Sequence, residues 1–154
     1  MATKTQLTAG AAIVAACCTF LAPHEGMRTT AYKDPARPTL ATICYGETQG
    51  VKFGDTKTPE QCRAMLEQRI PDYLGPVDRS VTKPMPDSRR IALTDFAYNV
   101  GVTRYLQSGI PAKLNADDVP GGCGLLLHYV YAAGVKMPGL VKRREDEYRL
   151  CMQG

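Results

Sequence analysis

The sequence predicts an α+β fold that is mostly helical, with one small sheet near the N-terminus. Three observations carry this. The 154 residues are 44% apolar, enough for one domain with a core and too few for two full ones. Short β-prone pieces broken by Pro and Gly are confined to residues 24–58. Beyond them, apolar residues recur at helical spacing behind clear start signals. Nineteen Lys plus Arg against 15 Asp plus Glu leave a net charge of +4. That mild bias suits an anionic polymer or surface, and with no basic stripe or aromatic stacking platform no nucleic-acid partner is expected.

The first element is an uncharged run from Thr5 to His24 with its apolar centre at Leu7 to Ala22. As a helix it would span ~30 Å, the thickness of bilayer hydrocarbon. Ala9, Gly10, Ala11, Ala12, Ala15 and Ala16 dilute Ile13, Val14, Phe20 and Leu21, so insertion would be marginal. Four readings fit. The run can be a cleavable secretory signal with Lys4 as a thin n-region, or a lipoprotein signal ending Val14-Ala15-Ala16-Cys17. It can also be an uncleaved anchor with Lys4 inside, or an Ala-rich helix buried in the core.

After Pro23 the pattern changes, and Leu40 to Tyr45, flanked by Pro35, Pro38 and Gly46, reads as part of a small β-hairpin region. Thr58-Pro59-Glu60-Gln61 is a capping box with Pro at the first helical position, so a helix is expected from Pro59 to about Ile70, burying Cys62, Met65, Leu66 and Ile70. Residues 71–87 contain Pro71, Pro76, Pro84 and Pro86; any helix there should be short or kinked, and the segment is the expected hinge between two lobes. Ile91, Leu93, Phe96, Ala97 and Val100 lie mostly at helical spacing before Gly101. More helix is expected near 103–108, 122–132 and 138–151. In the last, Leu140, Arg144, Tyr148 and Cys151 share a face, and Lys142, Arg143, Glu145 and Asp146 lie mainly off it.

The six cysteines form no C-x-x-C pair and have only His24 and His128 as imidazole partners, so disulfides in an oxidising compartment are expected rather than a metal site. Among polar residues, Glu25, Asp34, Thr42 and Tyr45 gather around the Pro and Gly breaks. Two carboxylates on separate short elements facing one cleft are what glycosidic hydrolysis requires, one protonated to donate to the leaving oxygen and one ionised opposite. On composition alone, two solvated surface carboxylates are the better reading.

The run His24-Glu25-Gly26-Met27-Arg28-Thr29-Thr30-Ala31-Tyr32-Lys33-Asp34-Pro35 and then Thr42-Ile43-Cys44-Tyr45-Gly46-Glu47-Thr48 resembles the active-site region of the phage lysozymes of glycoside hydrolase family 24. Three later blocks match in order: Gly54 to Cys62, Asp95 to Gly101, and Pro138 to Glu145. The resemblance covers the chain from residue 24 onward. It implies a lysozyme-like, two-lobed fold, with an anchor helix over 1–23 and a catalytic domain over 24–154. Within that domain the small β-hairpin lobe is expected at about 24–70, the hinge at 71–87 and the helical lobe at 88–154.

The resemblance also implies the chemistry. Glu25 would protonate the leaving oxygen of the β-1,4 bond between N-acetylmuramic acid and N-acetylglucosamine, while Asp34 and Thr42 hold the attacking water. Peptidoglycan glycan strands are the implied partner, a monomer suffices, and no metal or organic cofactor is needed. The Asp34-to-Thr42 segment is a residue or two longer than the commonest form, which makes Thr39 a rival for the hydroxyl role, and His24 stands where such enzymes often have Trp. Tyr45, Tyr98 and Asn99 are expected sugar contacts, with Tyr98 in the core and Asn99 as a helix C-cap the alternative. The weakly apolar N-terminus resembles the signal-arrest-release endolysins, in which such a helix anchors the enzyme at the inner membrane and later leaves it for the periplasm.

Cys44 and Cys62 would join hairpin to helix, and Cys123 and Cys151 would tie the last two helices; six cysteines permit fifteen pairings. Cys17 and Cys18 then remain in the anchor, either as a redox switch able to displace Cys62 from Cys44 or as small apolar residues of a span. A lytic transglycosylase, and a membrane-anchored peptidoglycan-binding protein without catalysis, are the alternative functions.

Overall fold

A computed structural model describes residues 4–154, with side chains from Gly10 onward. The chain forms two compact units, Met1–Ile70 and Pro71–Gly154. The side chains of Lys4, Leu7 and Ala9 in the N-terminal run lie outside the described residues.

The first unit is built from helix α1 (Lys4–Glu25), strands β1 (Arg28–Lys33) and β2 (Ala41–Cys44), and helix α2 (Pro59–Arg69). On α1, Ile13, Cys17, Cys18 and Leu21 are buried. Their spacing is one helical stripe, and α1 packs on α2. The helix does not stop at Pro23 but runs through it to Glu25, so the boundary expected after residue 23 falls inside α1. Gly26, at φ 67°, takes the left-handed conformation that ends the helix, and its N–H reaches the Ala22 carbonyl at 3.3 Å. Among the described residues no helix is long and apolar enough to cross a membrane.

Strands β1 and β2 are antiparallel, with Tyr32 opposite Thr42 and Lys33 opposite Ala41. Farther along, Arg28 pairs with Cys44, so β1 spends three residues where β2 has only Ile43. That bulge turns β1 toward a third segment: the Ala31 N–H donates to the Asp55 carbonyl and the Lys57 N–H to the Thr29 carbonyl, each at 2.8 Å. Helix α2 starts as its sequence requires. The Thr58 hydroxyl accepts from Gln61 N–H at 3.1 Å, and the Gln61 side chain accepts from Thr58 N–H at 2.8 Å. Cys62, Leu66 and Ile70 are buried, and Met65 is half-buried against Ile43, Cys44 and Cys62.

The second unit is helical: α3 (Pro71–Ser80), α4 (Asp87–Val100), α5 (Val102–Gln107), α6 (Ile110–Asn115), α7 (Val119–Gly124), a 3-10 turn at Leu125–His128, the hairpin β3 (Tyr131–Ala132) and β4 (Val135–Lys136), and α8 (Pro138–Cys151). The expected hinge at 71–87 is mostly helix. Pro71 is placed where the missing N–H costs nothing, and burial of Leu74 and Val77 outweighs the bond lost at Pro76. Helix over 122–132 is also corrected. Asp118 caps a shorter α7, and Ala133 and Gly134, at φ 49° and 77°, make a hairpin turn, so the described residues form two small sheets rather than one. Helix α6 had no clear sequence signal beyond Pro111.

Helix α4 carries the core of this unit, with Ala92, Leu93, Phe96 and Ala97 fully buried beside Val77, Tyr105, Ile110 and Leu126. Arg143, expected off the buried face of α8, is buried. Its Nε and Nη2 donate to the two oxygens of Asp95 on α4, both at 2.9 Å. Glu147 is 3.6 Å from Arg143 and 3.2 Å from Arg144. The Arg144 guanidinium lies 4.8 Å over the Phe96 ring, and its Nη2 donates to Asn99 Oδ1 at 2.6 Å.

Both expected disulfides are present, Cys44–Cys62 and Cys123–Cys151. The sequence separations are 18 and 28 residues. Loop-closure entropy assigns them about 3 and about 3.5 kcal/mol. Thermal melts of Cys62→Ser and Cys151→Ser should both show losses of this order, the second slightly larger.

Candidate active site

Glu25 is the last residue of α1, half-buried and followed at once by the left-handed Gly26. Asp34 comes directly after β1, with a side chain 19% exposed. Its Oδ1 accepts from Ala36 N–H at 2.9 Å and its Oδ2 from Arg37 Nη2 at 3.4 Å. Thr42 lies inside β2, fully buried, and among the described residues its hydroxyl has no hydrogen-bond partner. The β1–β2 register puts Thr42 opposite Tyr32, two positions before Asp34. The first unit therefore carries the Glu, Asp and Thr on one short helix–strand–strand path. Thr39, the rival hydroxyl, sits in the exposed turn between the strands.

The turn after β2 is held twice. Cys44 adopts φ 59°, a left-handed conformation costly for a residue with a Cβ, and is bonded to Cys62 of α2. Ile43 and Glu47 then exchange backbone hydrogen bonds at 2.9 Å, which closes the turn around Tyr45, itself half-buried against Ile43 and Cys44. Glu47 meets Arg69 of α2 with both oxygens, at 2.9 and 3.0 Å, and one of them also accepts from the Thr48 and Gln49 N–H groups at 2.8 Å. Glu47 was not singled out from sequence, and its place in the Tyr45-Gly46-Glu47 block was the only signal.

Burial pushes the Glu47 carboxyl up, but Arg69 and the two N–H donors outweigh it and hold the group below its ordinary value of 4.5. The folded chain therefore binds this proton less tightly than the unfolded one. The stabilisation is complete above about pH 4.5 and is lost as pH falls through the folded value. Glu47→Gln should lower stability by about 1–3 kcal/mol at neutral pH. In a pH series of denaturant midpoints, the gap to the parent should close on the acid side.

In the second unit, Tyr98 packs against Tyr73 with ring centroids 4.8 Å apart and planes tilted by 51°, half-buried. Asn99 is exposed, with its carbonyl oxygen held by Arg144. The C-cap of α4 is Gly101, not Asn99. Cys17 and Cys18 are in no disulfide and lie buried on α1. Burial, with the Glu67 carboxylate adding to it, pushes the Cys18 thiol up to about 11, which leaves little thiolate for exchange at neutral pH. Among the described residues no three His, Cys, Asp or Glu side chains are grouped to hold a metal.

The family model described as phage lysozyme matches residues 22–147. The chain belongs to the phage lysozyme family. It is 35% identical over 148 residues to the SAR-endolysin of Pseudomonas phage phiKMV, covering 94% of this phage lysozyme and 90% of that one. The SAR-endolysin of Bacteriophage PS119 is 34% identical over 131 residues, covering 84% and 77%. Among solved structures, the active form of the P1 phage endolysin Lyz superposes with a TM-score of 0.76 at 28% identity, over 89% of this chain and 83% of that one. As a phage lysozyme, the protein is a glycoside hydrolase of the lysozyme type.

Proposed function

We infer that this phage lysozyme is an endolysin that hydrolyses the β-1,4 bond between N-acetylmuramic acid and N-acetylglucosamine in peptidoglycan, lysing the host cell. Glu25 donates the proton to the leaving oxygen. Asp34 and Thr42 orient and polarise the water that attacks the anomeric carbon. One observation carries the reading: a Glu, an Asp and a Thr stand on consecutive elements of a phage lysozyme chain, and the Thr42 hydroxyl has no hydrogen-bond partner among the described residues. Asp34 keeps a partly exposed carboxylate that accepts from Ala36 and Arg37 of its own turn. Within the first unit, Tyr45 is the residue assigned to sugar contact.

The enzyme is exported, held at the inner membrane by its N-terminal helix and released to the periplasm. Supporting this, the match to the phiKMV SAR-endolysin takes in 94% of the chain and so reaches into the N-terminal run. The run is also weakly apolar, as an anchor that must leave a bilayer requires.

The test is clearing of outer-membrane-permeabilised Gram-negative cells by the purified protein. A steady fall in turbidity is expected. Retention on glycan strands without clearing would move the protein to a binding role.

A further inference from the structure

We propose that Arg37 is a positioning residue for Asp34, acting through the ion pair on Oδ2. The inference rests on the reading of Asp34 as the second carboxylate of the reaction.

Between β1 and β2 the backbone makes two consecutive turns. The Arg37 N–H donates to the Asp34 carbonyl and the Leu40 N–H to the Arg37 carbonyl, both at 3.0 Å. Arg37 ends the first turn and begins the second. Pro35 and Pro38 occupy the second position of each, where the fixed φ of proline is already that of the turn. The corner that carries Arg37 is thus stiffened by a proline on each side.

Asp34 is gripped unevenly at that corner. Its Oδ1 is fixed by the Ala36 N–H at 2.9 Å, a bond internal to the turn. Its Oδ2 meets Arg37 at 3.4 Å, a longer contact to a side chain that is 52% exposed. The short bond sets the plane of the carboxylate, and the longer one supplies charge while leaving Oδ2 able to take a second partner. An attacking water needs that arrangement: an anion held in orientation, with one oxygen open to exchange. An Arg on the surface can stay with the carboxylate while the water approaches, because its fork presents several donors, of which Nη2 meets Oδ2 here.

The test compares Arg37→Ala, Arg37→Lys and Arg37→Glu with the parent on soluble glycan strands, alongside Asp34→Asn. The expected result is a fall in kcat of about three- to fivefold for Arg37→Ala, the size of a partly exposed ion pair, with KM within twofold. Recovery is expected in Arg37→Lys and a larger fall in Arg37→Glu, all at an unchanged melting temperature. Millimolar guanidinium should raise the rate of Arg37→Ala and leave the parent unaffected. Parent-like kcat in Arg37→Ala, or a fall that neither Lys nor guanidinium reverses, would overturn the proposal while leaving Asp34 in place. Full activity in Asp34→Asn would instead remove the reading on which it rests.

Discussion

Glu25→Gln should lose about 10²- to 10⁴-fold in kcat with its melting temperature unchanged. Gln keeps the size and polarity of the side chain at the end of α1, so the half-buried position after Ala22 and Pro23 stays filled. What it cannot do is deliver a proton to the departing sugar oxygen. The loss should therefore depend on the leaving group. A glycoside that releases an acidic phenol needs little protonation, and on such a substrate the variant should fall far less than on glycan strands. A uniform loss on both substrates would point to a binding role for Glu25 instead.

The largest stability effect should come from Arg143→Met. Arg143 has a side chain 5% exposed, satisfies both oxygens of Asp95 and lies 3.6 Å from Glu147, whose side chain is fully buried. Without it, two carboxylates face each other in the core of the helical unit with less positive charge to balance them. Breaking a buried pair in this way costs about 3–5 kcal/mol, a fall in melting temperature of roughly 10 °C or more in a chain of this size. Burial, and then the hydrogen bond and charge of Asp95, already push the Glu147 carboxyl well above its ordinary 4.5, against the pull of Arg144 and Arg143. The folded chain thus holds that proton more tightly than the unfolded one, so the group's contribution to stability falls as pH rises above 4.5. In Arg143→Met the dependence should steepen, with the deficit smallest in acid. A melting temperature within 2 °C or so of the parent at neutral pH would contradict this account of the network.

What could be read in the sequence was what local chemistry determines. The capping box at Thr58 and Gln61 needs only four residues and forms as written. The two disulfides followed from cysteines on elements whose types were already legible. Pairings across long separations were not legible. Arg143 looks like a solvated charge in the Lys142 to Asp146 run, and its bond to Asp95, 48 residues earlier, accompanies its burial. The Glu47–Arg69 clamp, 22 residues apart, was hidden for the same reason. Four prolines between residues 71 and 87 point to a short or kinked helix at most; Pro71 starts a ten-residue helix, and burial of Val77 holds Pro76 inside it. At the site, Glu25, Asp34 and Thr42 are proposed through the family resemblance of the blocks around them, since composition alone reads Glu25 and Asp34 as solvated carboxylates, while the Arg37 contact depends on turn geometry that the two prolines set.

The central claim is hydrolysis with Glu25 as the acid, and the most direct measurement is the mass of muropeptides released from purified sacculi by the parent and by Glu25→Gln side by side. The account predicts products from the parent that carry a hydrated, reducing muramic end, and none above background from the variant. Products with 1,6-anhydro ends, or equal release by both proteins, would contradict it.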